Sequence, residues 1–193
     1  MGHLSLAFIG SPPEAGLASL EKPEARARAM VNDHFDFVWR LLRRLGVPAA
    51  DVDDAAQQVF IVGTRRLGDI PPGSERTFLY GTALRLASTL RRNSRRRDRF
   101  LSSVQAEPQA SARTPHEELE RRQALDVLDA LLHTLEDEQR EVFVLCEIEE
   151  LTAPQVAAIV GIPVGTVASR LRRARQCFAN ELKRVKTQGT EQP

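Results

Sequence analysis

Helical spacing runs through most of the chain. In DHFDFVWRLLRRLG, Phe35, Val38, Trp39, Leu42 and Leu45 recur at the intervals of one helix face, and Gly46-Val47-Pro48 ends the run. In ADVDDAAQQVFIVGTRRL, Asp51 is placed to cap a helix whose apolar face is Val52, Ala55, Ala56, Val59 and Phe60. A loop holding Gly68, Pro71, Pro72 and Gly73 follows. SERTFLYGTALRLASTLRR then resumes the period, with Phe78, Leu79, Ala83, Leu86 and Leu90 as core candidates. Farther along, Leu119, Leu125, Leu128, Leu131, Leu132 and Leu135 predict one helix, and Val142, Phe143, Leu145 and Ile148 predict a second. TAPQVAAIVG and VGTVASRLRRARQCFANEL predict two more. No stretch alternates with the two-residue period of a strand, so the expected fold class is all-α.

Breaks in this pattern divide the chain. Residues 1–25 hold Gly10, Pro12, Pro13, Gly16 and Pro23 without a sustained period and predict a flexible extension. Residues 26–101 form a first helical module. Residues 102–116, SSVQAEPQASARTPH, lose the period and predict a flexible linker; a coil of that length holds its ends about 20 Å apart. Residues 117–186 form a second module, and 187–193 a disordered tail.

Within the second module, LTAPQVAAIVGIPVGTVASRLRRARQCF has the layout of a helix-turn-helix. Thr152 can cap the first helix, Gly161 permits a tight turn, and Pro163 suits the start of the second helix. Val167, Leu171 and Ala174 share an inward face, leaving Thr166, Ser169, Arg170 and Arg173 on other faces. Ala168 and Ser169 keep the helix slim enough to approach a duplex closely. Arginines there can grip guanine or phosphate, or form an ordinary solvated basic face.

Charge sharpens the picture. The 193 residues carry a formal net charge of only +1, but the charges are segregated. Arg85, Arg91, Arg92, Arg95, Arg96, Arg97 and Arg99 crowd one segment, and Arg170, Arg172, Arg173 and Arg175 another. Acids gather in Glu136-Asp137-Glu138 and Glu147-Ile148-Glu149-Glu150. A binding partner senses local potential, so the arginine segments predict a polyanion partner. Cys146 and Cys177 lack metal-ligand spacing and predict reduced thiols. LSLAFIG is short and lacks a basic flank, which argues against a signal peptide. No apolar run is long enough for a membrane span, so a cytoplasmic protein without membrane insertion is expected.

The stretch LEDEQREVFVLCEIEELTAPQVAAIVGIPVGTVASRLRRAR resembles the promoter-reading module of bacterial RNA polymerase sigma factors of the sigma-70 family. DVDDAAQQVFI resembles the helix with which that family grips core polymerase. Two such modules in this order, over roughly residues 30–185, resemble the extracytoplasmic-function group.

That resemblance implies a protein that catalyses nothing and needs no metal or cofactor. It would bind core RNA polymerase and promoter DNA and direct initiation. Asp53, Asp54, Gln57, Gln58 and Phe60 would meet polymerase; Phe60 equally suits the core. Phe78, Tyr80, Arg85, Arg91, Arg92, Arg95, Arg96 and Arg97 would hold the melted −10 region, aromatics by stacking and arginines by neutralising phosphate. Thr166, Ser169, Arg170, Arg172, Arg173 and Arg175 would meet the −35 region. An anti-sigma partner is typical of the family, though no residue here identifies one. The chain departs from the family at several points: Phe78 stands where Trp is common, Arg85 and Thr89 lie where Asn and Asp are, and Ala168 replaces a Lys.

Rival readings are a stand-alone helix-turn-helix regulator, an adaptor whose arginines meet acidic proteins, and a metal-dependent nuclease using Asp51, Asp53 and Asp54. The nuclease fails on geometry, since adjacent carboxylates point to different helix faces and no histidine completes a site.

Overall fold

The computed structural model describes residues 23–100 and 116–190. Among the described residues there are seven α-helices and no strand: α1 (Pro23–Arg44), α2 (Val52–Arg65), α3 (Glu75–Phe100), α4 (His116–His133), α5 (Asp137–Phe143), α6 (Ala153–Val160) and α7 (Val164–Thr190). The all-α expectation holds. The bulk of the expected N-terminal extension and of the linker lies outside the described residues. Helix nevertheless reaches into both expected irregular ends, because α1 starts at Pro23 and α7 runs to Thr190. Proline is well placed at a helix start, where its missing N–H has no intrahelical partner to lose.

In the first module α1, α2 and α3 pack around Val38, Leu41, Leu42, Val52, Ala56, Val59, Leu79 and Ala83, all essentially inaccessible. Gly63 lets α1 and α2 approach: a Cβ there would lie 3.0 Å from Met30 Cε. Arg26 ties the start of α1 to the loop before α3, donating to Glu75 Oε1 at 2.6 Å and to the carbonyls of Ile70 at 2.7 Å and Leu67 at 3.2 Å. Burial would raise the Glu75 pKa, but its hydrogen bonds, chiefly from Arg26, hold it below the ordinary carboxylate value. Phe35 departs from expectation. It stacks on Phe60 with ring centroids 6.2 Å apart yet stays 42% exposed, while its neighbour Phe37 takes the core position.

The second module is built on α5 and α7, with Val142, Val156, Val167 and Ala174 buried between helices and Phe143 stacked on Phe178 at 4.8 Å. A π-helical turn, Val144–Ile148, continues α5, and Glu150 after it has a φ of 55°. A non-glycine residue there carries a backbone cost, and the turn it makes aims Glu149 back at the first module. Leu125, a core candidate by its spacing, is 42% exposed, and the Leu119 side chain lies outside the described residues.

The linker composition predicts modules held apart, but they pack together, and buried side chains of both form one continuous cluster. The contact also buries charge. Arg140 is 4% exposed and donates to the carbonyls of Leu132 at 2.7 Å, Leu135 at 2.9 Å and His133 at 3.0 Å. Leu132 and His133 end α4 and Leu135 follows it, so the guanidinium caps the C-terminal end of that helix. It also reaches the Leu45 carbonyl of the first module at 3.5 Å, which Arg91 Nη1 contacts at 2.6 Å. Gly46 lies beneath them with a φ of +83°, and a Cβ there would fall 2.2 Å from Arg140 Nη1. Glycine therefore both ends α1 and leaves room for an arginine from the other module.

Candidate nucleic-acid interface

Three surfaces carry the residues singled out by the sequence. On α2, the apolar face is spent on the core, so Asp53, Asp54, Gln57 and Gln58 face solvent. Asp53 Oδ1 accepts a hydrogen bond from Trp39 Nε1 at 2.8 Å, which fixes its orientation. Phe60 is 6% exposed and supports this face from behind. Beside it runs a groove of about 550 Å³ between α2 and α3, lined by Asp54, Ala55, Gln58, Leu86, Leu90 and Asn93 among others. The surface is acidic at its rim and apolar at its floor, suited to a basic, amphipathic protein element.

On α3, the candidates separate. Arg85, Arg92 and Arg96 are exposed, and Phe78 is half-buried with the Arg66 guanidinium 5.8 Å from its ring centroid. Tyr80 is 2% exposed, packed edge-on to Phe37 at 4.8 Å. It cannot stack on a nucleotide base in this arrangement, which leaves Phe78 as the accessible one of the two predicted aromatics. Arg91 is 5% exposed: Nη2 donates to Glu141 Oε1 at 2.6 Å, and Nε lies 3.2 Å from Asp137 Oδ2 without hydrogen-bond geometry. Arg95 is exposed but pairs with Asp137 Oδ1 at 2.9 Å. The Arg97 side chain lies outside the described residues. Facing Arg85 and Arg92 across a cleft of about 570 Å³ are Ile159, Val160 and Gly161 at the end of α6.

The helix-turn-helix forms as its sequence signals require. Gln155 Oε1 accepts from the Thr152 backbone N–H at 2.9 Å, the reciprocal half of a capping box. Gly161 has a φ of 77°, and the N–H groups of Gly161 and Ile162 both donate to the Ala157 carbonyl, at 2.9 and 3.2 Å. The Pro163 carbonyl accepts from Val167 N–H at 3.1 Å, opening α7. Val167 and Ala174 point inward, Thr166 and Ser169 are half-buried, and Arg172 and Arg173 stand exposed. Arg170 is paired with Glu138, and both Nε and Nη2 of Arg175 donate to Glu147 Oε1, at 3.0 and 2.6 Å.

Sequence reasoning passed over Arg140 and placed Glu149 only within an acidic run, without a role of its own. Arg140 sits in a charged run at a helix start, and only its three-residue offset from buried Phe143 hints that it turns inward. The Glu149 side chain is 7% exposed and holds Arg44 at 3.2 Å, Arg76 at 3.2 Å and the Tyr80 hydroxyl at 3.0 Å. Among the described residues no helix is long and apolar enough to cross a membrane.

Comparison with known proteins matches residues 30–97 to the family model for sigma-70 region 2 and residues 125–178 to that for sigma-70 region 4. The extracytoplasmic-function sigma factor SigE of Mycolicibacterium smegmatis is 33% identical over 76% of this chain, which spans only 58% of that protein's length. The sigma factor CnrH of Cupriavidus metallidurans is 30% identical over 69% of this chain and 74% of its own. Among solved structures, CnrH in complex with the cytosolic domain of CnrY superposes with a TM-score of 0.59 at 26% identity, covering 83% of this chain and 95% of that one. The sigma factor RpoE of Bartonella quintana, solved with the anti-sigma factor NepR, gives 0.66 at 21% identity, over 81% of this chain and 96% of that one.

Proposed function

Because the chain belongs to the extracytoplasmic-function group of the sigma-70 family of RNA polymerase sigma factors, we propose that it binds core RNA polymerase in the cytoplasm and directs promoter-specific initiation without catalysing a reaction itself. The observation that carries this reading is the pairing of two family matches, region 2 then region 4, on adjacent helical modules that display the matching chemistry. An acidic and amide face, Asp53, Asp54, Gln57 and Gln58, stands on α2 of the first module. Exposed Arg172 and Arg173 stand on the second helix of a helix-turn-helix in the second.

The roles follow from these placements. The α2 face meets polymerase, with Trp39 holding Asp53 and Phe60 backing the helix. Phe78 offers an aromatic face to an unstacked base, and Arg85, Arg92 and Arg96 neutralise the strand's phosphates. The slim start of α7, with Gly165 and Ala168, permits entry into the major groove; Arg172 and Arg173 supply cations for phosphate or guanine. An anti-sigma protein is an expected partner, and the similar sigma factor CnrH was solved in complex with the cytosolic domain of CnrY.

Reconstitution with core polymerase tests the reading. Transcripts from genomic DNA should begin at a restricted set of positions only when the chain is added. Equal and random starts with and without it would refute the assignment. Specific duplex binding without any effect on initiation would establish the stand-alone regulator instead.

A further inference from the structure

Four positions of α3, Arg85, Ser88, Thr89 and Arg92, follow the spacing of one helix face, and all four line the cleft of about 570 Å³ against the end of α6. The backbones of the two arginines are about 10 Å apart along the helix axis. Among the described residues neither arginine has an ion-pair partner, whereas Arg91 and Arg95 beside them are held by acids of α5. The Arg85 side chain donates to Thr82 Oγ1 at 3.4 Å, a long contact. The Thr89 hydroxyl is spent on the Arg85 carbonyl at 3.0 Å. Ser88, half-buried between the arginines, has no side-chain hydrogen bond to a described residue. Glu141, the carboxylate of the lining, is taken by Arg91 Nη2 at 2.6 Å. The α3 wall therefore offers two uncommitted cations with a hydroxyl between them.

The opposite wall has another chemistry. Ile159 and Val160 bring half-buried apolar side chains to it. The carbonyls of this last turn of α6 are also short of donors. The residue four positions beyond Ile159 is Pro163, which has no N–H, and the N–H groups of Gly161 and Ile162 both go to the Ala157 carbonyl. Such a wall suits a flat ring with apolar faces and amine donors on its edge.

We propose that this cleft is a binding site for a free nucleoside di- or triphosphate, with the phosphates along Arg85, Ser88 and Arg92 and the base against Ile159 and Val160. A single phosphate would leave one of the two guanidiniums unused, while a chain of phosphates spans both with charge-assisted hydrogen bonds. A bare polyphosphate would leave the apolar wall wet. The inference goes beyond the sigma-factor reading and meets it only at Arg85 and Arg92, which that reading gives to the promoter strand. A bound nucleotide and the strand therefore compete for the same two cations.

Isothermal titration calorimetry on the full-length chain, without polymerase or DNA, tests this with ATP, GTP, adenosine and sodium tripolyphosphate. ATP or GTP should bind saturably, about tenfold more tightly than either adenosine or tripolyphosphate, because only the nucleotide uses both walls. Arg85→Gln/Arg92→Gln alters two exposed side chains and should weaken that binding about tenfold, since the lost contacts are hydrogen bonds to a charged group. Arg28→Gln/Arg40→Gln, two exposed arginines of α1, removes the same charge and should change affinity by no more than about twofold. Ile159→Ala should weaken ATP and GTP and leave tripolyphosphate as in the wild type. Circular dichroism checks that each variant keeps its helices; if Ile159→Ala loses them, the arginine pair decides alone. Absence of saturable binding, equal affinity for nucleotide and tripolyphosphate, or an equal loss in the α1 control each overturns the proposal. Initiation takes no part in the measurement. A negative result here leaves the functional reading standing, and random transcript starts would leave a positive one standing.

Discussion

The Tyr80 hydroxyl donates to Glu149 Oε2 at 3.0 Å while accepting from Arg76 Nε at 3.2 Å, so a phenol in the core of the first module is held by an acid from the second. Burial, opposed by Arg76 and reinforced by the Glu149 charge, pushes its pKa from the ordinary 10.0 up to about 12.

Tyr80 is the sole tyrosine of the chain, so alkaline titration of tyrosinate absorbance reports it alone. Folding favours the neutral phenol. Its contribution to stability is therefore complete below pH 10 and is lost as pH rises through about 12. The wild-type transition should lie near 12, and in Glu149→Gln it should fall below the wild-type value as the negative charge is lost while burial remains. A wild-type transition at 10 would show that the phenol is not buried in solution.

Arg140→Ala should lower stability by about 3 kcal/mol in denaturant unfolding, because the carbonyls of Leu132, His133 and Leu135 lose a charged donor at a buried site. Arg140→Lys should recover only part, as an ammonium cannot span the same set of acceptors. A loss under about 0.5 kcal/mol, the range of ordinary surface changes, would place this side chain in solvent.

Asp53 and Asp54 differ by one position, and the structure predicts different outcomes. Asp54→Ala should weaken co-purification with core polymerase and leave tryptophan fluorescence unchanged. Asp53→Ala should also alter that fluorescence, because Trp39, the sole tryptophan, loses its acceptor at 2.8 Å. Identical spectra for both variants would remove the hydrogen bond from the account.

Arg173→Ala should weaken promoter binding and, if the lost contact is to phosphate, lower the slope of log affinity against log salt by about 1. Arg170→Ala should also weaken promoter use, whereas Glu138→Gln should strengthen it by releasing Arg170 from its pair. Unchanged transcript yield from both arginine variants would make the helix structural only.

The helix-turn-helix shows how far local signals reach. Thr152, Gly161, Pro163, Val167 and Ala174 occupy the cap, turn, helix start and inward face that their types and spacing predict. Each of those roles is set by backbone geometry within a few residues. The acidic face of α2 is legible for the same reason, since Val52, Ala55, Ala56 and Val59 turn its polar residues outward. Phe35 and Phe37 were not separable by spacing alone, because which edge of an apolar stripe is covered depends on the helix laid against it.

What the sequence by itself determined is the set of helices, their apolar faces, the turn chemistry that joins α6 to α7, and the concentration of arginine on α3 and α7. Only the tertiary structure decided which arginines are displayed. Arg91 and Arg92 are adjacent and chemically identical, yet one is 5% exposed against Asp137 and Glu141 and the other is open to solvent. Periodicity orients a side chain about its own helix axis. Whether that direction meets water, a phosphate or a carboxylate depends on a partner helix some 50 positions away, and no local pattern encodes that approach.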